Sequence, residues 1–339
     1  MRFVIYGAGA VGSVVGGYLT QAGYDVVLIG RPQHVAQVRA AGLLLQNKEG
    51  VHTVKVEAVT SLDGITLTEE DRVFLTVKSQ DTPTAVTDLA RHGPGILPLF
   101  CFQNGVRNEE IAAQRFDRVY GVLVMIGGRY LGPGRVVNFT GRSVTIGRYP
   151  RGLDALAASV AAVLRRAGLK VTLSEDVMAG KWSKLILNLT NPFHAITDLS
   201  LIEARRLPEA RAFIADMWEE GLRVLEAAGI DYEDIPGRSS IREQIRQLRE
   251  GAPEQDLQED PEGHYRPSTW QDLALQRGST EVDAFNGEIV RLGARHGIPT
   301  PINQLLLGLV EDMADKKELP GKYSIGDLRA MLGAPGRLP

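Results

Sequence analysis

Six consecutive residues near the N-terminus, Gly7-Ala8-Gly9-Ala10-Val11-Gly12, have the types and spacing of a loop that binds phosphates. In such a GxGxxG sequence the first glycine permits a tight turn, the second lets a pyrophosphate approach the backbone, and the third lets the following helix pack against a strand. The N-terminus of that helix then offers unpaired N–H groups to the phosphate oxygens. A glycine-rich turn can also serve packing alone, but this one lies between a predicted strand and a predicted helix. We therefore predict a dinucleotide-binding site.

The residues after the second predicted strand bear on which dinucleotide binds. An NAD site carries an Asp or Glu there that accepts hydrogen bonds from the ribose, but Leu28-Ile29-Gly30-Arg31 contains no acid. Arg31 offers a planar fork of donors that suits the 2′-phosphate of NADP, although it could be an ordinary surface arginine. Lys78 follows another buried strand and adds charge near the phosphate or substrate, or simply faces solvent. We predict NADPH/NADP⁺ as the cofactor.

Polar side chains at two further places could contact a substrate. Asn104 follows a predicted strand, where it could hold the nicotinamide ribose or amide, or be a turn residue in an Asn-Gly bend. Lys184, Asn188 and Asn191 share one face of a predicted apolar helix, together with Lys181. Buried amides and ammonium groups need partners. This face therefore either binds a ligand or faces solvent, and the spacing leaves both open.

Glu281 is a third candidate, at the start of a predicted helix. Thr280 and Asp283 have the spacing of a capping box around it. Glu281 projects beside an apolar stripe, unlike a free surface carboxylate. The alternative is a first-turn glutamate that interacts only with the helix dipole.

Strands and helices alternate in the first half of the chain, which predicts an α/β, Rossmann-type, doubly wound and mostly parallel sheet. Strands are expected at residues 2–6, 25–29, 72–77, 96–102, 119–126 and 169–173, with helices at 10–22 and 153–167. Residues 135–139 and 143–146 are interpreted as a hairpin around Thr140-Gly141-Arg142.

Beyond Met178 the hydrophobic period becomes helical, which predicts a second, all-α C-terminal domain. Helices are expected at 181–191, 208–228, 238–249, 280–296 and 302–316. The predicted domains are 1–178, which binds the dinucleotide, and 179–339, which binds the substrate. An acidic segment at 232–267 is interpreted as a solvated insertion or a substrate lid.

Composition excludes several classes of function. The net charge of -3 gives no basic field for nucleic acid. No apolar stretch approaches the ~20 residues that span a bilayer, so we expect no membrane association. Cys101 is the only cysteine, which fits a small core residue in a reducing, cytoplasmic protein. We expect no metal site.

In order and separation these motifs resemble the ketopantoate reductase (2-dehydropantoate 2-reductase) family over nearly the whole chain. The matching runs are GAGAVG at 7–12, VKSQDT at 77–82, QNGV at 103–106, KLILN at 184–188, RPSTWQD at 266–272 and TEVDAFNG at 280–287. The resemblance implies NADPH-dependent reduction of 2-dehydropantoate to pantoate, in pantothenate biosynthesis.

The resemblance also implies a role for each candidate residue. Lys184 would protonate the carbonyl oxygen of a small 2-oxo acid while NADPH delivers hydride to the carbon, and Glu281 would assist it. Asn104 would lie beside the nicotinamide. The carboxylate and hydroxyl of the substrate would be held by Asn188, Asn191 and Ser268. A positioned ammonium both stabilises and protonates the oxyanion that develops when a ketone accepts hydride.

The sequence departs from the family around the substrate. Lys184 and Asn191 are one residue closer together than in similar proteins, and Ser268 and Glu281 are one residue further apart. A family member that reduces another branched 2-oxo acid is therefore an alternative, and so is a non-catalytic NADPH-binding regulator. Similar proteins are commonly homodimers, although no interface signature stands out in the sequence.

Overall fold

The computed structural model describes residues 1–251 and 266–333. The chain divides into two units, Met1–Lys181 and Trp182–Pro339, and the division falls within a helix. The acidic residues Glu254, Asp256, Glu259, Asp260 and Glu262 of the predicted insertion lie outside the described residues.

The first unit alternates strands with helices. Its strands are β1 (Arg2–Tyr6), β2 (Asp25–Ile29), β3 (Leu43–Asn47), β4 (Gly50–Val54), β5 (Glu57–Val59), β6 (Arg72–Leu75), β7 (Leu99–Cys101), β8 (Val119–Gly132), β9 (Arg135–Arg148) and β10 (Lys170–Leu173). Its helices are α1 (Ala10–Gln21), α2 (Pro32–Ala41), α3 (Thr82–His92), α4 (Asn108–Ala113) and α5 (Ala155–Arg166).

The strands form one sheet in the order β4-β3-β9-β8-β7-β6-β1-β2-β5, with β10 paired to β9. The run from β8 to β5 is parallel throughout. The predicted mostly parallel sheet is confirmed. Its central strands bury both faces: in β1, Phe3 and Ile5 join one apolar core, and Val4 joins the core on the opposite face. This two-sided burial explains the nearly continuous apolar runs in the sequence.

The predicted hairpin at 135–146 is wrong. Residues 135–148 form the single strand β9, which pairs antiparallel with β8, and the chain reverses earlier, between Gly132 and Arg135. Gly141 has a φ of 64° and lies beside a register shift that separates Met125 from Gly127. The glycine therefore marks a bulge within a long strand, which uses the same residue types as a turn.

Every regular element among the described residues of the second unit is a helix, as predicted. Its helices are α6 (Val177–Asn188), which begins in the first unit, α7 (Thr190–Thr197), α8 (Leu201–Arg206), α9 (Pro208–Ala227), α10 (Ile241–Glu250), α11 (Ser268–Ala274), α12 (Val282–His296), α13 (Pro301–Asp315) and α14 (Ile325–Gly333).

The single helix predicted at 181–191 is wrong, because α6 ends at Asn188 and α7 begins at Thr190. Pro192 has no N–H, so the helical hydrogen bond to the Asn188 carbonyl cannot form. The next carbonyl, that of Leu189, instead accepts a hydrogen bond from Nδ2 of Asn286 at 3.2 Å. A proline in the sequence and a side chain from a distant helix together define this junction.

A buried relay supports the junction. Asn286 Nδ2 also donates to Asn303 Oδ1 at 2.9 Å, and Asn303 Nδ2 donates to Glu220 Oε1 at 2.8 Å. The carboxylate of Glu220 further accepts the backbone N–H groups of Ile302 and Asn303, at 3.1 and 2.9 Å. Glu220 thus satisfies donors in the first turn of α13 that have no partner within that helix.

We predict that Glu220→Ala lowers the free energy of unfolding by about 2 to 4 kcal/mol, because it leaves several buried donors without an acceptor. Chemical denaturation measures the change. The matched control is Glu219→Ala on the same helix, whose side chain is 40% exposed and pairs with Arg249. An exposed ion pair contributes about 1 kcal/mol at most. Equal losses in the two variants would contradict a special role for Glu220.

Candidate active site

The glycine-rich loop after β1 approaches its neighbours too closely for side chains at two positions. Gly7 has a φ of +117°, and a Cβ there would lie 2.6 Å from the amide nitrogen of Val77. A Cβ at Gly12 would lie 2.4 Å from the carbonyl oxygen of Gly7. A Cβ at Gly9, by contrast, would approach only the Gly7 oxygen, at 4.0 Å, which leaves space beside the N-terminus of α1. This cradle fits a dinucleotide pyrophosphate, which would bind to the first-turn amides of α1.

Arg31 is exposed and precedes α2, directly after β2. A Cβ at the adjacent Gly30 would lie 2.9 Å from the Cβ of Ala8, so the end of β2 packs against the glycine-rich loop. His34, which the sequence analysis missed, is buried nearby and its Nδ1 accepts the N–H of Gly134 at 3.0 Å. Its Nε2 therefore carries the hydrogen and faces Ser13 Oγ at 3.3 Å, while burial lowers the pKa of His34. The neutral imidazole joins α2 to α1.

Lys78 and Asn104 lie in two segments that hydrogen bonds join. Ser79 Oγ donates to the carbonyl oxygen of Asn104 at 3.1 Å, and Gln103 Nε2 donates to the carbonyl oxygen of Val77 at 2.9 Å. Lys78 and Asn104 are both half-buried. Since β7, β6, β1 and β2 are parallel neighbours, their carboxyl ends bring Asn104, Lys78, the glycine-rich loop and Arg31 to the same edge of the sheet.

Lys181 forms a buried ion pair with Glu109 at the end of the same β7 segment. The two side chains are 3% and 0% exposed, and Lys181 Nζ also donates to the carbonyl oxygen of Gln103 at 3.2 Å. A solvent-facing role for Lys181 is therefore wrong. Burial raises the pKa of Glu109, and the adjacent ammonium opposes that rise. Because 72 residues separate the partners, no local spacing could have indicated the pair.

In the second unit, Lys184 and Asn188 lie one turn apart on α6, and both are half-buried. Nδ2 of Asn188 is buried and has no hydrogen-bond partner among the described residues. Asn191 is also half-buried, but it belongs to α7. The polar face that was predicted for one helix therefore ends at Asn188.

Ser268 is the first residue of α11, which packs against α7. Residues on both sides of it are anchored to Asp198. Arg266 donates to the Asp198 carbonyl oxygen at 2.7 Å, and Trp270 Nε1 donates to its carboxylate at 2.7 Å. The hydroxyl of Thr269 is buried without a partner in the part of the chain described here. These two hydrogen bonds to Asp198 hold the N-terminus of α11 in place.

Glu281 immediately precedes α12 and is 8% exposed, so it is not a free surface carboxylate. The predicted capping box is wrong. Thr280 Oγ1 accepts the N–H of Val282 at 3.3 Å, and Asp283 pairs with Arg291 at 2.5 Å instead of capping the helix. The opposite charge of Arg291, two turns along α12, attracts Asp283 away from the helix N-terminus.

The described residues hold neither a candidate metal site nor a candidate membrane span. No group of three or more His, Cys, Asp or Glu side chains there is arranged to hold a metal ion. None of the helices in those ranges is long and apolar enough to cross a membrane.

Comparison with known proteins places this geometry in a family. Residues 3–151 match the family described as ketopantoate reductase PanE/ApbA, and residues 176–314 match its C-terminal domain. The 2-dehydropantoate 2-reductase of Pyrococcus abyssi is 33% identical over 328 residues, which cover 95% of this chain and 100% of that protein.

Two solved structures are similar to this chain over 94% of its length. A PanE/ApbA family ketopantoate reductase from Ralstonia eutropha has a TM-score of 0.79 and 33% identity, covering 94% of this chain and 99% of its own. D-mandelate dehydrogenase, in a ternary structure with NADH and anilino(oxo)acetate, has a TM-score of 0.81 and 27% identity with the same coverage. This chain therefore belongs to the ketopantoate reductase PanE/ApbA family and is an NAD(P)-dependent 2-oxo acid reductase.

Proposed function

We propose that this protein reduces 2-dehydropantoate to pantoate with NADPH, in pantothenate biosynthesis. The observation that carries the proposal is the buried amide nitrogen of Asn188, which has no partner among the described residues and belongs to the residue one helical turn after Lys184. Buried polar groups without a protein partner are uncommon, and a bound acceptor would supply one. A carboxylate or hydroxyl of a 2-oxo acid has the required chemistry. The 33% identity to a 2-dehydropantoate 2-reductase over the whole length of that protein supports this substrate.

Each residue has a definite task in the proposed reaction. When bound, NADPH would supply hydride for the carbonyl carbon of the substrate. Lys184 stabilises the negative charge that develops on the carbonyl oxygen and donates a proton to it. Asn188 and Ser268 donate hydrogen bonds to the substrate, and the buried carboxylate of Glu281 assists Lys184. Asn191 remains a proposed substrate contact, although it lies in a different helix from Lys184.

A second candidate is the reduction of another 2-oxo acid, such as one with an aromatic side chain. The similarity to D-mandelate dehydrogenase over 94% of this chain favours it. Steady-state oxidation of NADPH, with 2-dehydropantoate and phenylglyoxylate as substrates, decides between the two. A higher kcat/KM for phenylglyoxylate would refute the role in pantothenate biosynthesis and leave the reductase chemistry intact.

We predict that Arg31→Ala weakens NADPH binding by about ten- to a hundredfold and leaves NADH binding nearly unchanged, because only NADPH carries the 2′-phosphate. Titration of each cofactor measures the two dissociation constants. Arg91→Ala is the matched control, since Arg91 is exposed in the last turn of α3, which leads away from the carboxyl ends of the strands. Equal losses for both cofactors would remove Arg31 from the phosphate site.

Lys184→Ala should lower kcat by about 10² to 10⁴ because it removes a positioned acid, while NADPH still binds. Lys184→Arg should restore little, since a guanidinium stays charged and is a poor proton donor. Lys181 cannot serve as a surface control because it is buried against Glu109, so Lys316→Ala, with a 59% exposed side chain, takes that place. A wild-type kcat in Lys184→Ala would refute the proposed acid catalysis.

Asn188→Ala and Ser268→Ala should each raise KM for the 2-oxo acid by about five- to a hundredfold, because each removes a polar contact worth ~1 to 3 kcal/mol. The affinity for NADPH should stay within about threefold of wild type, which is less than the roughly fivefold change that the loss of a ~1 kcal/mol contact would cause. Substrate kinetics and a separate NADPH titration distinguish the two effects. A loss of NADPH affinity with an unchanged KM would contradict the assignment of these residues to the substrate.

A further inference from the structure

The buried ion pair of Lys181 and Glu109 has no task in the reaction as proposed above. Both side chains are almost completely buried. Transfer of two charges from water into a protein interior is costly, and apolar residues of similar volume often stabilise a fold equally well. A contribution to stability is therefore a weak explanation for the pair.

Lys181 has a second contact, the carbonyl oxygen of Gln103 at 3.2 Å. At this point the backbone has left the sheet, so strand pairing no longer fixes its conformation. β7 ends at Cys101, the N–H of Phe102 still bonds to the Leu75 carbonyl, and Gly105 then has a φ of +79°. The conformation of the residues after Phe102 therefore depends on side-chain hydrogen bonds.

Side chains hold the peptide groups on both sides of the Asn104 Cα atom. The preceding carbonyl, of Gln103, accepts from Lys181 Nζ. The following carbonyl, of Asn104 itself, accepts from Asn108 Nδ2 at 2.7 Å and from Ser79 Oγ at 3.1 Å. A peptide group is planar, so fixing the two planes that flank a Cα atom fixes φ and ψ at that residue. The direction of the Cα–Cβ bond of Asn104 is fixed with them.

Glu109 has a separate part in this arrangement. Its Oε1 faces the Lys181 ammonium, while its Oε2 is buried without a partner among the described residues. Its side chain thus compensates the charge of Lys181 and keeps that ammonium beside the Gln103 carbonyl. Glu109 is positioned in turn by the first turn of α4, immediately after the segment that it helps to hold.

We propose that Lys181, held by Glu109, is a positioning residue that sets the backbone of Asn104 so that its side chain meets the nicotinamide half of the cofactor. The inference rests on the proposed function and on the place beside the nicotinamide that the family resemblance implies for Asn104. Lys181 acts through the Gln103 carbonyl and touches no reacting atom. Its loss should displace the nicotinamide, and a displacement of about 1 Å at a reacting centre lowers a rate by roughly a hundredfold.

The experiment separates the charge of the pair from the hydrogen bond to Gln103. Lys181→Met and Glu109→Gln each leave one buried group uncompensated, whereas the double variant removes both charges and also the donor to Gln103. Lys170→Met, on the exposed Lys170 of β10, is the matched control. The first two measurements are the unfolding temperature and the hydrogen exchange of amides 103–106, the latter in the cofactor-free protein. The third is kcat, together with its isotope effect when NADPH carries deuterium at the transferred position.

Lys181→Met and Glu109→Gln should unfold about 5 to 15 °C below wild type, and the double variant should recover most of that loss. The double variant should nevertheless exchange amides 103–106 about tenfold faster than wild type. Its kcat should be about ten- to a hundredfold lower, with a larger isotope effect, because hydride transfer becomes rate-limiting. A double variant that recovers stability, exchange and kcat together would overturn the proposal, since Lys181 would then only balance the charge of Glu109.

Ser79→Ala tests the same idea without disturbing the ion pair, because Ser79 is half-buried and donates to the other flanking carbonyl. It should raise exchange at 103–106 and lower kcat by about threefold or more, at an unfolding temperature close to that of wild type. Unchanged exchange and kcat in Ser79→Ala would also overturn the proposal. The exchange measurement needs no cofactor or substrate. If the wild-type protein reduces no 2-oxo acid, the proposed function is refuted. The exchange measurement would still test whether Lys181 and Ser79 hold the backbone at Asn104.

Discussion

The close approach of Gly7 to the end of β6 is the contact on which the edge of the first unit depends. The N–H of Gly7 bonds to the Ile29 carbonyl at 3.1 Å, and the Gly7 carbonyl accepts from Thr76 Oγ1 at 2.8 Å. The loop is thereby held between the ends of β2 and β6, and a side chain at Gly7 would collide with Val77. Because the ends of β1, β2 and β6 converge there, the glycine-rich loop, an arginine and a lysine come from separate parts of the chain to one place.

The main constraint on the second unit lies at the junction of α6 and α7. There the missing N–H of Pro192 leaves a carbonyl without its helical donor, and a relay of buried side chains fixes the adjoining backbone. Asn286, Asn303 and Glu220 come from three other helices, so the position of Asn188 and Asn191 depends on the packing of the whole unit. Nδ2 of Asn188 has no hydrogen-bond partner among the described residues, and neither has Oδ1 of Asn286 in the relay itself.

Local patterns predicted β1, α1 and β2, the elements around the glycine-rich loop. The bounds of β1 and β2 agree with the prediction, and α1 differs only at its last residue, because glycines and strand-length apolar runs mark these elements within a few residues of themselves. The same kind of reasoning failed where one residue type serves two geometries. Gly141 marks a bulge rather than a turn, and Thr280 does not cap α12, because Asp283 pairs with Arg291.

The sequence by itself determined the α/β architecture, the all-helical second unit and the place of the glycine-rich loop between β1 and α1, since each depends on periodicity or spacing over a short stretch of chain. It also carried enough ordered motifs to indicate the family. Only the tertiary structure decided the environment of Lys181 and Lys184, two lysines one turn apart on the same helix. Lys181 is buried against Glu109 and Gln103, whereas Lys184 is half-buried. Helical spacing places both on one face, but the partner of a buried charge is chosen by packing, which here joins residues 72 positions apart.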